Sequence, residues 1–129
     1  MAAMRGACLV LLALSACGGR LPHPVYSAHK TDELFVVPYP PPPPRVEEIP
    51  EPEVEGSVWL DGEWRWRGRG WSWRKGRWVI PAKGNTWSPW TVTRDEAGTL
   101  WFAPGLWRNA AGAPVAAGSP APGADEDPP

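Results

Sequence analysis

The stretch WLDGEWRWRGRGWSWRKGRW, residues 59–78, decides how the rest of this sequence is read. Its tryptophans stand at 59, 64, 66, 71, 73 and 78, so spacings of five and two alternate. A repeat of seven suggests a coiled coil, but each unit carries a central glycine. A helix loses about 1 kcal/mol at each such position. The W-x-W pieces fit strands, because alternate side chains share one face. The residues between them fit two-residue hairpin loops. Asp61-Gly62 and Lys75-Gly76 have glycine second, as a type I′ turn prefers, and Gly68-Arg69 has it first, as type II′ requires.

Read this way, the segment is a small antiparallel meander of short Trp-rich hairpins, and the fold class is all-β. Trp59 is expected to face Trp64, Trp66 to face Trp71, and Trp73 to face Trp78. Extending the register aligns Trp59, Trp64, Trp73 and Trp78 in one row and Ser57, Trp66, Trp71 and Ile80 in another. The opposite face carries Val58, Arg65, Ser72 and Val79, then Leu60, Glu63, Arg74 and Arg77. Glu63 is expected to pair with Arg74 across the strands, for under about 1 kcal/mol. Gly62 and Gly76 are expected at positive φ. A second hairpin is read over Trp90–Arg94 and Thr99–Ala103, turning at Asp95–Gly98. Its apolar side holds Trp90, Val92, Leu100 and Phe102. Laid over the tryptophan face, it makes a small sandwich or half-barrel.

All ten tryptophans lie between residues 59 and 107, so the ordered domain is expected at 56–108. Residues 18–55 show little hydrophobic periodicity beyond the LFVV run at 34–37. Pro38 and Pro40 to Pro44 suggest a polyproline II rod, and Glu47, Glu48, Glu51, Glu53 and Glu55 follow. This predicts a disordered, solvated tether reaching on the order of 100 Å. Residues 109–129, rich in Ala, Gly and Pro, are expected to be a disordered tail. The net charge of −1 hides a segregation into −4 for residues 18–55, +5 for 56–108 and −3 for the tail.

The amino terminus gives the address. Arg5 precedes the apolar run ACLVLLAL at 7–14, a signal-peptide core too short to span a bilayer. Leu14-Ser15-Ala16-Cys17 then resembles the bacterial lipobox. That resemblance implies cleavage of residues 1–16 and acylation of Cys17, whose chains anchor effectively permanently at about 0.8 kcal/mol per buried CH₂. Gly rather than Asp at position 18 implies, by the sorting rule of enteric bacteria, the outer membrane over the inner. Cys8 leaves with the leader, so the mature chain has one cysteine and no internal disulfide.

The tryptophan repeat resembles the WXXGXW-repeat lipoproteins, the BcpO-related family of bacterial envelope proteins. The resemblance covers Trp59–Trp78, with a degenerate copy at Phe102–Trp107. The middle unit departs, with Gly68 and Gly70 around Arg69. Members often have His before the second Trp, where this chain has Glu63, Gly70 and Arg77, which argues against a His-based metal site. The resemblance implies an envelope location and no established activity.

The functional expectation is therefore a lipid-anchored envelope protein acting as a non-enzymatic structural or protein-interaction module. The alternative is a glycan- or peptidoglycan-binding module. There, Trp59, Trp64, Trp73 and Trp78 stack on sugars while Arg65, Arg67, Arg74 and Arg77 meet anionic groups. The core has no His and no Cys, and its carboxylates Asp61, Glu63, Asp95 and Glu96 suit turns and an ion pair. No catalytic residue, cofactor or metal site is assigned. His23 and His29 are at best a weak metal pair. Interleaved aromatics and arginines also suit single-stranded nucleic acid, but a lipid anchor argues against that partner. The expected partners are the membrane and an envelope glycan or protein.

Overall fold

The structure, a computed structural model, describes residues 19–116. The expected signal peptide, Cys17 and the acidic end of the tail lie outside the described residues. What is described is all-β apart from one turn of 3₁₀ helix at Thr31–Glu33.

The tryptophan segment forms short antiparallel strands, but their pairing is nested rather than a meander. The strands are β1 (Phe35–Val37), β2 (Val58–Leu60), β3 (Glu63–Trp66), β4 (Trp71–Arg74) and β5 (Arg77–Val79). β3 pairs with β4, and β2 reaches past them to pair with β5. The register runs unbroken from Val58 opposite Val79 to Trp66 opposite Trp71. The result is one long hairpin, ribbon 1. Of the three expected loops only Gly68-Arg69 is a turn: Gly68 has φ +85°, and Arg67 N donates to Gly70 O at 2.9 Å. The aromatic pairs are consequently Trp59–Trp78, Trp64–Trp73 and Trp66–Trp71, with edge-to-face rings 5.2–5.4 Å apart. Trp59–Trp64 and Trp73–Trp78 do not pair.

Asp61-Gly62 and Lys75-Gly76 lie opposite each other, where the ladder is interrupted. Neither glycine has positive φ. Their lack of a side chain serves a different end. A Cβ on Gly62 would overlap the Trp73 ring, and one on Gly76 would overlap the Trp59 ring. Each glycine is the seat of an indole from across the ribbon.

The next four strands repeat this plan. They are β6 (Thr86–Ser88), β7 (Thr91–Arg94), β8 (Leu100–Ala103) and β9 (Leu106–Arg108). β7 and β8 form the expected hairpin around Asp95–Gly98, with Gly98 at φ +85°. β6 and β9 extend it outward in the same register, making ribbon 2. Its interruption falls at Pro89 and Pro104, which have no N–H to give a ladder. Trp87 pairs with Trp107 as Trp59 pairs with Trp78, and a Cβ on Gly105 would overlap the Trp87 ring. Val92 opposite Phe102 replaces the Trp64–Trp73 pair.

The ribbons pack on each other at both ends. Leu60 and Val79 bury against Trp87 and Trp107. Trp66 and Trp71 pack against the cluster of Val37, Leu100 and Phe102, with the Trp71 and Phe102 rings 4.9 Å apart. Each fully buried indole removes roughly 200 Å² from water, or about 5 kcal/mol before entropy is counted.

The flanks depart from expectation. The LFVV run becomes β1, which adds to β8 with Phe35 opposite Phe102. Upstream, Trp59 N donates to Pro22 O at 2.9 Å and Trp87 N to Val25 O at 2.8 Å. The stretch expected to be a solvated tether is therefore bonded to both ribbons. Beyond residue 108 a turn follows, with Gly112 at φ +80°. A further strand, β10 (Pro114–Val115), then pairs with β9, so the tail is ordered to at least residue 116. Both flanks order because they supply backbone partners to strand edges that would otherwise face water.

Candidate functional site: a tryptophan face closed by a proline strap

A tryptophan ribbon solves its packing problem and creates a polar one. Each buried indole N–H needs an acceptor, and the carbonyls of a paired strand are committed to the ladder. Residues 39–50 supply acceptors to four indoles of ribbon 1. Trp71 Nε1 donates to Tyr39 O at 3.2 Å, Trp64 Nε1 to Pro43 O at 3.2 Å, and Trp78 Nε1 to Pro50 O at 2.8 Å. Trp73 Nε1 donates to Glu47 Oε1 at 3.0 Å. The segment thus runs as a strap from the ribbon tip to its base. Proline suits this use, since it fixes its own φ and offers a carbonyl without a competing N–H. Aromatic grooves elsewhere take proline-rich peptides by the same means.

Two contacts lock the strap. At the tip, Tyr39 donates its hydroxyl to Arg69 O at 2.8 Å and sets its ring edge-on to Trp66. At the interruption, the other oxygen of Glu47 accepts the Gly76 amide at 2.8 Å. That carboxylate lies close against both Gly62 and Gly76. Ribbon 2 has a counterpart, where the Glu63 carboxylate presses on Gly105. Arg45 stacks over Trp64, 5.1 Å from the ring centre, a favourable cation–π placement.

The residues expected to bind a ligand are dispersed. Trp59, Trp64 and Trp78 are buried and Trp73 is partly so. Trp59 spends its N–H on Asp61 at 2.9 Å. None of the ten tryptophans is exposed. Arg74 and Arg77 converge on buried Glu63, at 3.6 and 3.9 Å. The expected Glu63–Arg74 pair is therefore present, but beneath ribbon 2 rather than on an open face. Arg65 stands opposite Ser72, and Arg67 Nε donates to Ser72 Oγ at 3.1 Å. The eight residues do not form one platform. A cleft of about 290 Å³ lies between strap and ribbons, lined by Arg45, Glu47, Trp59, Asp61, Trp73 and Trp90 among others.

A second polar cluster was not legible. Arg108, only 2 % exposed, forms a two-pronged ion pair with Glu33 and donates through Nε to Ser88 Oγ at 2.8 Å. Arg108 and the Lys30 amide together hold the Glu33 carboxyl at a pKa of about 2. Ser88 also contacts Ser27 Oγ, which accepts from Thr86. His29 lies alongside Glu33 at 3.5 Å. Ser, His and Glu together invite comparison with a hydrolase triad, but His29 Nε2 is turned to Pro89 O at 2.7 Å. The nitrogen that would serve a nucleophile is already engaged. The cluster fastens residues 27–33 to ribbon 2. His23, stacked on Tyr26, is likewise in an aromatic contact. No group of three or more His, Cys, Asp and Glu side chains among the described residues is placed to hold a metal.

Tyr39, Pro43, Glu47 and Pro50 were missed as site residues, although one signal pointed to them. A chain with many indoles to bury and a proline-rich stretch beside them carries its own acceptors.

The comparisons with known proteins bear on the ribbon alone. Residues 56–79 match the family described as WXXGXW repeat, in two copies. This segment is a WXXGXW repeat. In ribbon 1 the motifs are Trp59–Gly62–Trp64 and Trp73–Gly76–Trp78, and the structure shows why they occur together. The first Trp of each copy covers the glycine of the other and pairs with the other's last Trp. The seven-residue periodicity over Trp66–Trp71 is the hairpin turn between them. No curated protein and no solved structure matches the chain.

Proposed function

We propose that this chain is a lipid-anchored protein of the cell envelope, held in the outer membrane through Cys17, and that its folded part is a non-enzymatic structural or protein-interaction module. The observation that carries the second half is the closure of the tryptophan face. The indoles that sugar stacking would need are buried, bonded to the strap or both. The acidic side chains support the same reading. Glu47 caps the ribbon interruption, Glu63 faces two arginines, Glu33 holds Arg108, and Asp95 accepts from Trp101 and the Thr99 amide. These are structural duties that leave a carboxylate little freedom for acid–base work. For the first half, the support is the leader and the Leu14–Cys17 motif. No helix among the described residues is long and apolar enough to cross a membrane.

Metabolic labelling with a radioactive fatty acid tests the anchor. The wild-type chain should take up label and sediment with membranes, and Cys17→Ser should do neither while keeping its tryptophan emission. If Cys17→Ser precursor were still cleaved and still sedimented, the reading would be wrong. For the module, titration with soluble peptidoglycan fragments should leave tryptophan emission unchanged.

A further inference from the structure

The observation is how little chain separates the anchor from the fold. Trp59 already holds Pro22, and Trp87 holds Val25 and the Ser27 amide. Five residue steps from Cys17 to Pro22, even fully extended, span no more than about 18 Å. Along this pinned stretch, apolar side chains face outward: Leu21 is 40 %, Val25 70 % and Tyr26 52 % exposed. Pro24 between them is buried and holds the stretch against the body of the domain. Arg20 precedes them.

We propose that this stretch, carrying exposed Leu21, Val25 and Tyr26, lies in the interfacial layer of the lipid bilayer, so that the domain rests on the membrane. The proposal rests on the acylation of Cys17 given above. Exposed apolar side chains within a few residues of a membrane-buried cysteine are most readily covered by the lipid itself. Tyrosine suits the boundary, with an apolar ring and a polar tip, and Arg20 can meet lipid phosphates. The proline-rich stretch that would have lifted the domain away is instead folded onto ribbon 1.

The full lipoprotein offers a direct test, because lipid occupies the Cys17 sulfur and Cys8 is removed with the leader. Val25→Cys and, separately, Ala97→Cys would each carry a single environment-sensitive fluorophore. Ala97 is exposed in the turn of ribbon 2, at the end remote from Trp87. Both are reconstituted in phosphatidylethanolamine–phosphatidylglycerol vesicles containing spin-labelled lipid, and the mass of the amino-terminal peptide reports acylation. The expected result is an acylated chain whose probe at 25 sits roughly 5–10 Å into the interface and is quenched about twofold or more over the probe at 97. An acylated chain with equal, weak quenching at both positions overturns the proposal and leaves the anchor standing. A probe at 25 that is blue-shifted yet unquenched means that a second copy covers the stretch, and also overturns it. An unacylated chain overturns the anchor and the proposal together.

Discussion

Glycine does two different jobs in this molecule. Gly68 and Gly98 supply positive φ in turns, and alanine there costs on the order of 1 kcal/mol. Gly62 and Gly76 supply room for Trp73 and Trp59. Gly62→Ala and Gly76→Ala should each cost about 1–3 kcal/mol or more by overpacking against a ring that its own partner holds in place. Urea denaturation should therefore rank both below Gly68→Ala, and equal losses at all three positions would mean that the rings move aside. The sequence alone suggested turns at all these glycines, because Asp-Gly between two aromatic runs is a strong local turn signal. The nested pairing wins through a long-range effect: only it lets an indole from one copy cover the glycine of the other. Glu63–Arg74 was foreseen because both pairings share the hairpin around Gly68.

At the scale of elements, the strap and the 27–33 segment behave as parts of the fold that happen to lack ladders. Glu47→Ala removes the acceptor of Trp73 Nε1 and the Gly76 amide, and should cost about 1.5–3 kcal/mol. Exposed Glu48→Ala should change stability by less than about 0.5 kcal/mol; indistinguishable midpoints would remove Glu47 from the role assigned to it. Glu33 sets a pH dependence whose sign follows from its direction. Its folded pKa is depressed from 4.5 to about 2 by Arg108, so its stabilisation is complete above the unfolded value. That stabilisation fades as pH falls from about 4.5 towards 2. Chemical denaturation at pH 7 and pH 3 should show a smaller acid loss in Glu33→Gln than in wild type. The proline run and acidic stretch were visible in composition, but composition does not single out Glu47 among five nearby glutamates, nor Glu33 as the partner of Arg108. Those choices depend on where the ribbons place their donors.

Taken as a whole molecule, the fold is two ribbons of one plan, wrapped by the segments that precede and follow them. The domain boundary is correspondingly wide. A fragment of residues 56–108 lacks Val37, the strap carbonyls and Glu33, and should give a flat near-ultraviolet circular dichroism spectrum with red-shifted emission. Residues 19–116 should give sharp aromatic bands. A well-folded 56–108 fragment would show that the strap is dispensable. The all-β class, the tryptophan strands and the second hairpin were legible because alternation and turn chemistry are local. The likeness of ribbon 2 to ribbon 1 was visible only at Phe102–Trp107, because Trp90 and Val92 stand where the glycine and the second tryptophan of the first copy would be. The mutual cover of the two motif copies has a consequence for how such chains change over time. A copy alone leaves one tryptophan with no glycine to rest on and one glycine bare to water. The viable unit of gain or loss is therefore a whole hairpin, whose two arms keep an indole of one against the glycine of the other, as Trp87 on Gly105 also does in ribbon 2.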